Sequence, residues 1–208
     1  MANKGCVIEI GCIDPETYSN IVNHPLRKEI LKALYRKGLE GPVTKQSLAE
    51  AMKLNYHQLV YQLNNHLREF WEVAREEKVR GTRMEYIVPS HPHAVYISLG
   101  KEHSIYIFDP LANLFGPMSL VGTRCDFCTP NEAARCSKFV ESSCGCSSEL
   151  SESESALLKA NGRSNPFRPL DKAIICALRK LSSGEKCVVN IPCEGCAFLK
   201  KTISIQIL

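Results

Sequence analysis

Eleven cysteines in 208 residues are the first chemistry this chain offers, and nine of them lie beyond residue 120. Cys125-Asp126-Phe127-Cys128 is a C-x2-C knuckle; Cys136 and Cys144 follow at intervals of seven intervening residues, and Cys146 comes just after Gly145. A second group is Cys187, then Cys193 and Cys196 in Cys193-Glu194-Gly195-Cys196. A C-x2-C turn lets two sulfurs converge on one ion from a single tight loop, a spacing shared by zinc and iron–sulfur sites. Two knuckles supply four thiolates, and so do Cys125, Cys128 and Cys136 with either Cys144 or Cys146. Three readings stand open: a thiolate-bound metal centre, either zinc or an iron–sulfur cluster; thiol–disulfide switching without metal; and unligated packing. The polar, glycine-bearing surroundings of Cys144–Cys146 and Cys193–Cys196 weigh against packing. The uneven gaps favour a cluster over structural zinc, which usually takes evenly paired knuckles. Cys176, inside an apolar run, reads as inert packing. Cys6 and Cys12 are ligands, a switchable pair or small apolar residues at the chain end.

The second chemistry is that of a polar helical face. Thr44 is a natural N-cap for a helix over Lys45–Met52, on which Leu48, Ala51 and Met52 share one side. Lys53-Leu54-Asn55 forms a turn, and Asn55 caps a second helix predicted from Tyr56 to Phe70, whose Leu59, Leu63, Leu67 and Phe70 make one apolar stripe. Its opposite face carries Tyr56, His57, Gln58, Tyr61, Asn64, Asn65 and Arg68. Asn and Gln pair two-pronged with adenine and Arg with guanine, so such a face suits the major groove of double-stranded DNA. Solvation alone would favour Lys and Glu there. Strands are predicted at Trp71–Arg75 and Met84–Val88, joined by a charged tip whose Lys78, Arg80 and Arg83 are placed to touch phosphate or the minor groove, while Lys45, Lys53 and Arg68 also hold phosphates.

Residues 18–90 resemble the winged helix-turn-helix domain of ArsR-type transcriptional regulators, particularly archaeal members. The matching words are Asn23-His24-Pro25-Leu26-Arg27 leading into Ile30-Leu31-Lys32-Ala33-Leu34, then Leu48-Ala49-Glu50, Tyr61-Gln62-Leu63-Asn64, and Arg80-Gly81. The resemblance implies a homodimeric DNA-binding regulator, in which the region before the motif buttresses the reading helices and contributes to the dimer contact. It does not imply that family's metal box, because residues 45–52 contain neither Cys nor His.

These sites require an α+β chain of two domains: a winged helix-turn-helix over 1–90 and a smaller Cys-rich α+β domain over 91–208. Pro15–Arg36 predicts one helix or two broken at Pro25. Beyond Ser90-His91-Pro92-His93, a hinge candidate, the apolar runs 94–99 and 104–108 form a hairpin. Leu111, Leu114 and Phe115 suggest a short helix or turn. Residues 147–155 read as a flexible acidic serine-rich linker, although the glutamates equally suit the opening of a helix. Lys172–Leu181 is a helix, and Cys187–Ile191 and Lys201–Leu208 are strands.

The formal net charge of +4 requires any DNA-binding potential to be local. No apolar run is long enough to span a bilayer and no apolar leader core opens the chain, so a cytoplasmic protein without membrane attachment is expected. There is no P-loop, dinucleotide glycine fingerprint, His-Glu-x-x-His or Gly-x-Ser-x-Gly, and no enzyme is expected. The expected function is a DNA-binding transcriptional regulator whose cysteines sense redox state or metal. The alternatives are a thiol or iron–sulfur enzyme, or a zinc-stabilised adaptor, that uses the winged helix for protein docking.

Overall fold

The computed structural model describes residues 7–120, 125, 128–147 and 149–192. The chain divides into two units, one of residues 16–92 and one joining 1–15 to 93–208. A strand near the N-terminus therefore belongs with the C-terminal half, where the sequence predicts a boundary at residue 90 alone. That strand is β1 (Val7–Cys12), and it is placed by pairing with residues far along the chain.

Within the smaller unit, α1 (Pro15–Val22) and α2 (Pro25–Gly38) each begin on proline. Proline at the first helical position forfeits no hydrogen bond and presets φ. Then come β2 (Val43–Thr44), α3 (Lys45–Met52), α4 (Tyr56–Asn65), a 3-10 turn at Arg68–Phe70, β3 (Trp71–Val79) and β4 (Thr82–Pro89). Ile30, Leu31, Leu34, Leu48, Leu59, Leu63, Leu67, Phe70 and Ile87 are all fully buried. The predicted apolar stripe thus forms, but α4 ends at Asn65 and not at Phe70. His66 leaves helical geometry at φ −127°, and the 3-10 turn carries Phe70 on into the core.

The strands β2, β4 and β3 form one antiparallel sheet in that order. The hairpin tip is two residues, Arg80 and Gly81, and not the eight predicted, because Glu76–Val79 and Thr82–Met84 pair as strand. Arg80 (φ 49°) and Gly81 (φ 85°) both take the left-handed conformation that a two-residue hairpin of matching twist demands.

The larger unit comprises β1 with β5 (Ala94–Leu99), β6 (Ile105–Asp109), β7 (Leu114–Pro117), α5 (Pro130–Cys144), α6 (Glu152–Ala160), α7 (Pro169–Ser182) and β8 (Val188–Pro192). Sheet order is β7-β6-β5-β1-β8, antiparallel except where β1 runs parallel to β5. Parallel neighbours need a crossover connection, and here residues 16–92 are that connection. Gly11 faces Tyr96 across the parallel pair. A Cβ on Gly11 would meet the Tyr96 ring at 2.8 Å, so only glycine lets the ring lie down there.

The core of this unit gathers Ile10, Ile97, Ile107, Val189 and Ile191 of the sheet with Leu158, Ile174, Ile175 and Ala177 of the helices. Of the short helix or turn expected around Leu111, Leu114 and Phe115, the turn forms at Leu111 while Leu114 and Phe115 belong to strand β7, and Phe115 stacks on Phe108 of the paired strand. Of the two expectations for residues 147–155, a flexible linker or the opening of a helix, the helix holds from Glu152 onward. Ser151 and Glu154 form a reciprocal capping box, which satisfies two amide donors at the start of α6.

Glu154 also accepts from Arg179 Nε (2.6 Å) and Nη2 (2.7 Å), while the same guanidinium donates to the carbonyls of Ser147 and Glu149. The arginine holds the Glu154 carboxyl down at about 2, below its ordinary 4.5. The contact is therefore fully stabilising above pH 4.5 and is lost as pH falls through about 2. Acid unfolding followed by circular dichroism should lose part of its dependence over that window in Glu154→Gln; an identical profile would show that the pair contributes nothing.

Among the described residues, no helix is long and apolar enough to cross a membrane.

Candidate functional site

The polar face of α4 is built by capping on one side and packing on the other. Thr44 accepts from Ser47 N–H (3.0 Å) to start α3, and Lys53 closes that helix in the left-handed conformation. Asn55 Oδ1 then accepts from His57 N–H (2.9 Å) to start α4. Leu59 and Leu63 are fully buried beneath the helix. Gln62 is buried too and accepts from Arg27 Nε (3.0 Å), which ties α4 to α2. The remaining surface presents Tyr56, His57, Gln58, Tyr61, Asn64 and Asn65 to solvent, with no acidic residue on the helix. Tyr61 is 56% exposed, a large aromatic side chain with most of its ring unburied. Asn65 spends one amide proton on the Tyr61 carbonyl (3.0 Å), leaving the rest of its amide facing out.

The expected cations divide into two groups. Lys53 is exposed in the turn, and Lys78 and Arg80 are exposed on the hairpin, making no ion pair with another described residue. The others are engaged. Lys45, predicted to hold phosphate, bonds Glu85 (2.8 Å) and lies 4.3 Å from the Trp71 ring, with only 13% of its side chain exposed. Arg68 is not on α4 at all; it sits in the 3-10 turn, 4.4 Å from the Trp71 ring, and donates to the Trp71 carbonyl (2.9 Å). Arg83 is paired with Glu76 across the hairpin. With four acids and four bases between Glu72 and Glu85, the hairpin carries no net charge.

Sequence reasoning missed Trp71 as the organiser of this region. Its indole N–H donates to the Leu63 carbonyl (3.0 Å), fixing where α4 hands over to β3. The chain's single tryptophan, three residues after Arg68 at the end of an apolar helical stripe, is the signal the sequence offers.

The cysteines arrange themselves differently from the expected ligand sets. Cys146 is disulfide-bonded to Cys176, so a predicted ligand and a predicted packing residue are joined between the segment after α5 and the interior of α7. Cys125 and Cys128 share one turn, with Cys128 N–H donating to the Cys125 carbonyl (3.3 Å). Cys136 and Cys144 lie on helix α5 and not in loops. Among the described residues, no three His, Cys, Asp or Glu side chains converge as a metal would need. Of the set Cys125, Cys128, Cys136 and Cys146, the last is committed to its bond with Cys176 in this structure. Cys6, Cys193, Cys196 and the strand expected over 201–208 lie outside the described residues, as does the Cys144 side chain.

Cys187 meets Cys12. Interaction with the Cys12 side chain, aided by the charge of Lys180, pulls the Cys187 thiol down to about 7 against the opposing effect of burial. The same contact, reinforced by burial, pushes the Cys12 thiol far up. A thiol poised near neutrality beside a reluctant one is chemically suited to thiol–disulfide exchange.

No protein-family model matches the chain, and no curated protein matches it. The likeness to ArsR-type regulators thus stands on the quoted residues alone.

Proposed function

We propose that this protein is a sequence-specific, double-stranded DNA-binding regulator, with residues 16–92 as a winged helix-turn-helix and the larger unit as a thiol-based sensor. The observation that carries the reading is the α4 surface: six exposed hydrogen-bonding or aromatic side chains, no acid, and a fully buried stripe behind. His57, Gln58, Tyr61, Asn64 and Asn65 read base edges, and Lys53, Lys78 and Arg80 hold phosphates. Acting as a homodimer, the protein would span half-sites about 34–36 Å apart. Selection of duplexes from a random pool by the full-length protein tests this directly. Enrichment of an inverted repeat at that spacing is expected, and an unenriched pool would defeat the reading.

Arg80→Asn gives a second test, since Asn suits the left-handed position and removes only the charge. Affinity for every duplex should fall together, and the slope of log affinity against log salt should shrink by about one unit. An unchanged slope would take the hairpin tip out of the interface.

For sensing, the Cys146–Cys176 bond and the Cys12–Cys187 contact favour thiol–disulfide chemistry over a bound zinc ion or iron–sulfur cluster. A coupling of about 1–3 kcal/mol between sensor and DNA would change affinity roughly 5–150-fold between oxidised and reduced protein. Metal and sulfide analysis after anaerobic purification separates the two: stoichiometric zinc, or iron with sulfide, would return the assignment to a metal centre.

A further inference from the structure

Cys12 and Cys187 stand near opposite ends of the described chain, yet sheet register brings them together. Val7 opposes Pro192 and Gly11 opposes Val188 in the antiparallel β1–β8 pair, and that register continued one residue past the start of β8 sets Cys12 opposite Cys187. Directly opposed residues in antiparallel strands have Cα atoms about 4.5 or 5.5 Å apart. Both values fall inside the range of about 4.4–6.8 Å that a disulfide spans. Cys12 Sγ donates to the Ala177 carbonyl oxygen (3.1 Å), and each thiol shifts the ionisation of the other. Ala177 follows Cys176 on α7, so the pair adjoins the helix that carries the existing disulfide. Cys12 is partly exposed, and Cys187, itself buried, lies between exposed Lys186 and Val188 at the very start of β8.

We propose that Cys12 and Cys187 are a redox-active dithiol that closes into a cross-strand disulfide by exchange with low-molecular-weight disulfides of the glutathione type. In the first step the Cys187 thiolate attacks one sulfur of the small disulfide. A mixed disulfide forms on Cys187, and the small disulfide's own S–S bond breaks to release one thiolate. Cys12 then gives up its proton to that thiolate and attacks Cys187 Sγ. The mixed bond breaks, and a second small thiolate leaves and takes a proton from water. Two protein thiols are oxidised to one disulfide while the small disulfide is reduced to two thiols. The closed bond pins the end of β1, from which the chain passes directly into residues 16–92. The proposal does not depend on what those residues bind.

The test uses reduced full-length protein incubated with oxidised glutathione, quenched in acid, alkylated, digested and mapped by mass spectrometry. A linked Cys12–Cys187 peptide should accumulate with oxidant while alkylation of both thiols is lost. Cys12→Ser should stop at glutathione on Cys187, and Cys187→Ser should leave Cys12 alkylated. The wild-type map needs no variant to fold, so it decides by itself. Recovery of both thiols alkylated throughout, or of either one linked to a different cysteine, would overturn the assignment.

Discussion

Opening the Cys146–Cys176 disulfide is expected to cost the larger unit about 2–4 kcal/mol. The bond joins residues 30 apart in sequence, and closing a loop of that size restricts the unfolded chain by about 3–4 kcal/mol on the chain-entropy model. Cys146→Ser removes the bond while leaving the buried Cys176 in the core, so it should match the reduced wild type. Denaturant unfolding followed by far-ultraviolet circular dichroism measures the difference. The single tryptophan, Trp71, is buried in residues 16–92, so its fluorescence reports the other unit. Its transition should not move. Equal curves with and without reductant would mean that this bond holds nothing in place.

The larger of the two effects is expected at Asp171. Its carboxylate is 1% exposed and accepts from Arg163 Nε (2.6 Å) and from Arg168 N–H (2.8 Å) at the start of α7. Arg163 is itself only 10% exposed at the side chain. Removing one partner of a buried pair leaves the other charge without that compensation, at about 3–5 kcal/mol. Asp171→Ala should therefore lower the dichroism transition by about that amount, again without shifting the Trp71 signal. Asp171→Asn keeps an acceptor oxygen for the cap and should lose less. A variant as stable as the parent would show that the helix start is held by other contacts.

What the sequence could reveal depended on how local the cause was. The caps Thr44 and Asn55, the turn at Lys53 and the stripe Leu59–Leu63–Leu67–Phe70 are short-range features, and the arrangement built on them is present. The hairpin charges could not be assigned, because Arg83 meets Glu76 only through strand register, and Lys45 meets Glu85 across 40 positions. The same reason explains the cysteines. Cys176 reads as packing because its neighbours are apolar, while its partner lies 30 residues away beyond another helix. Among the cysteines of 125–146, Thr129 and Glu132 form a capping box that starts α5, a signal contained in four consecutive residues. Leu111 lies in the turn that its surroundings suggest, but Leu114 and Phe115, at helical spacing from it, are drawn into strand by pairing with β6.

The central claim is that the exposed face of α4 reads base pairs. The most direct measurement is the affinity of the wild type, Tyr61→Ala and Asn64→Ala for a selected duplex and for a scrambled duplex of equal length, at one salt concentration. Both side chains are exposed, and the Tyr61 ring makes an edge-on contact with the His66 ring of the same segment, so the fold should be largely unaffected. Each substitution is predicted to weaken binding to the selected duplex by about 1–3 kcal/mol, roughly 5–150-fold, while leaving the scrambled duplex within a factor of about two. Equal losses on both duplexes, or no loss on either, would contradict a base-reading role for this helix.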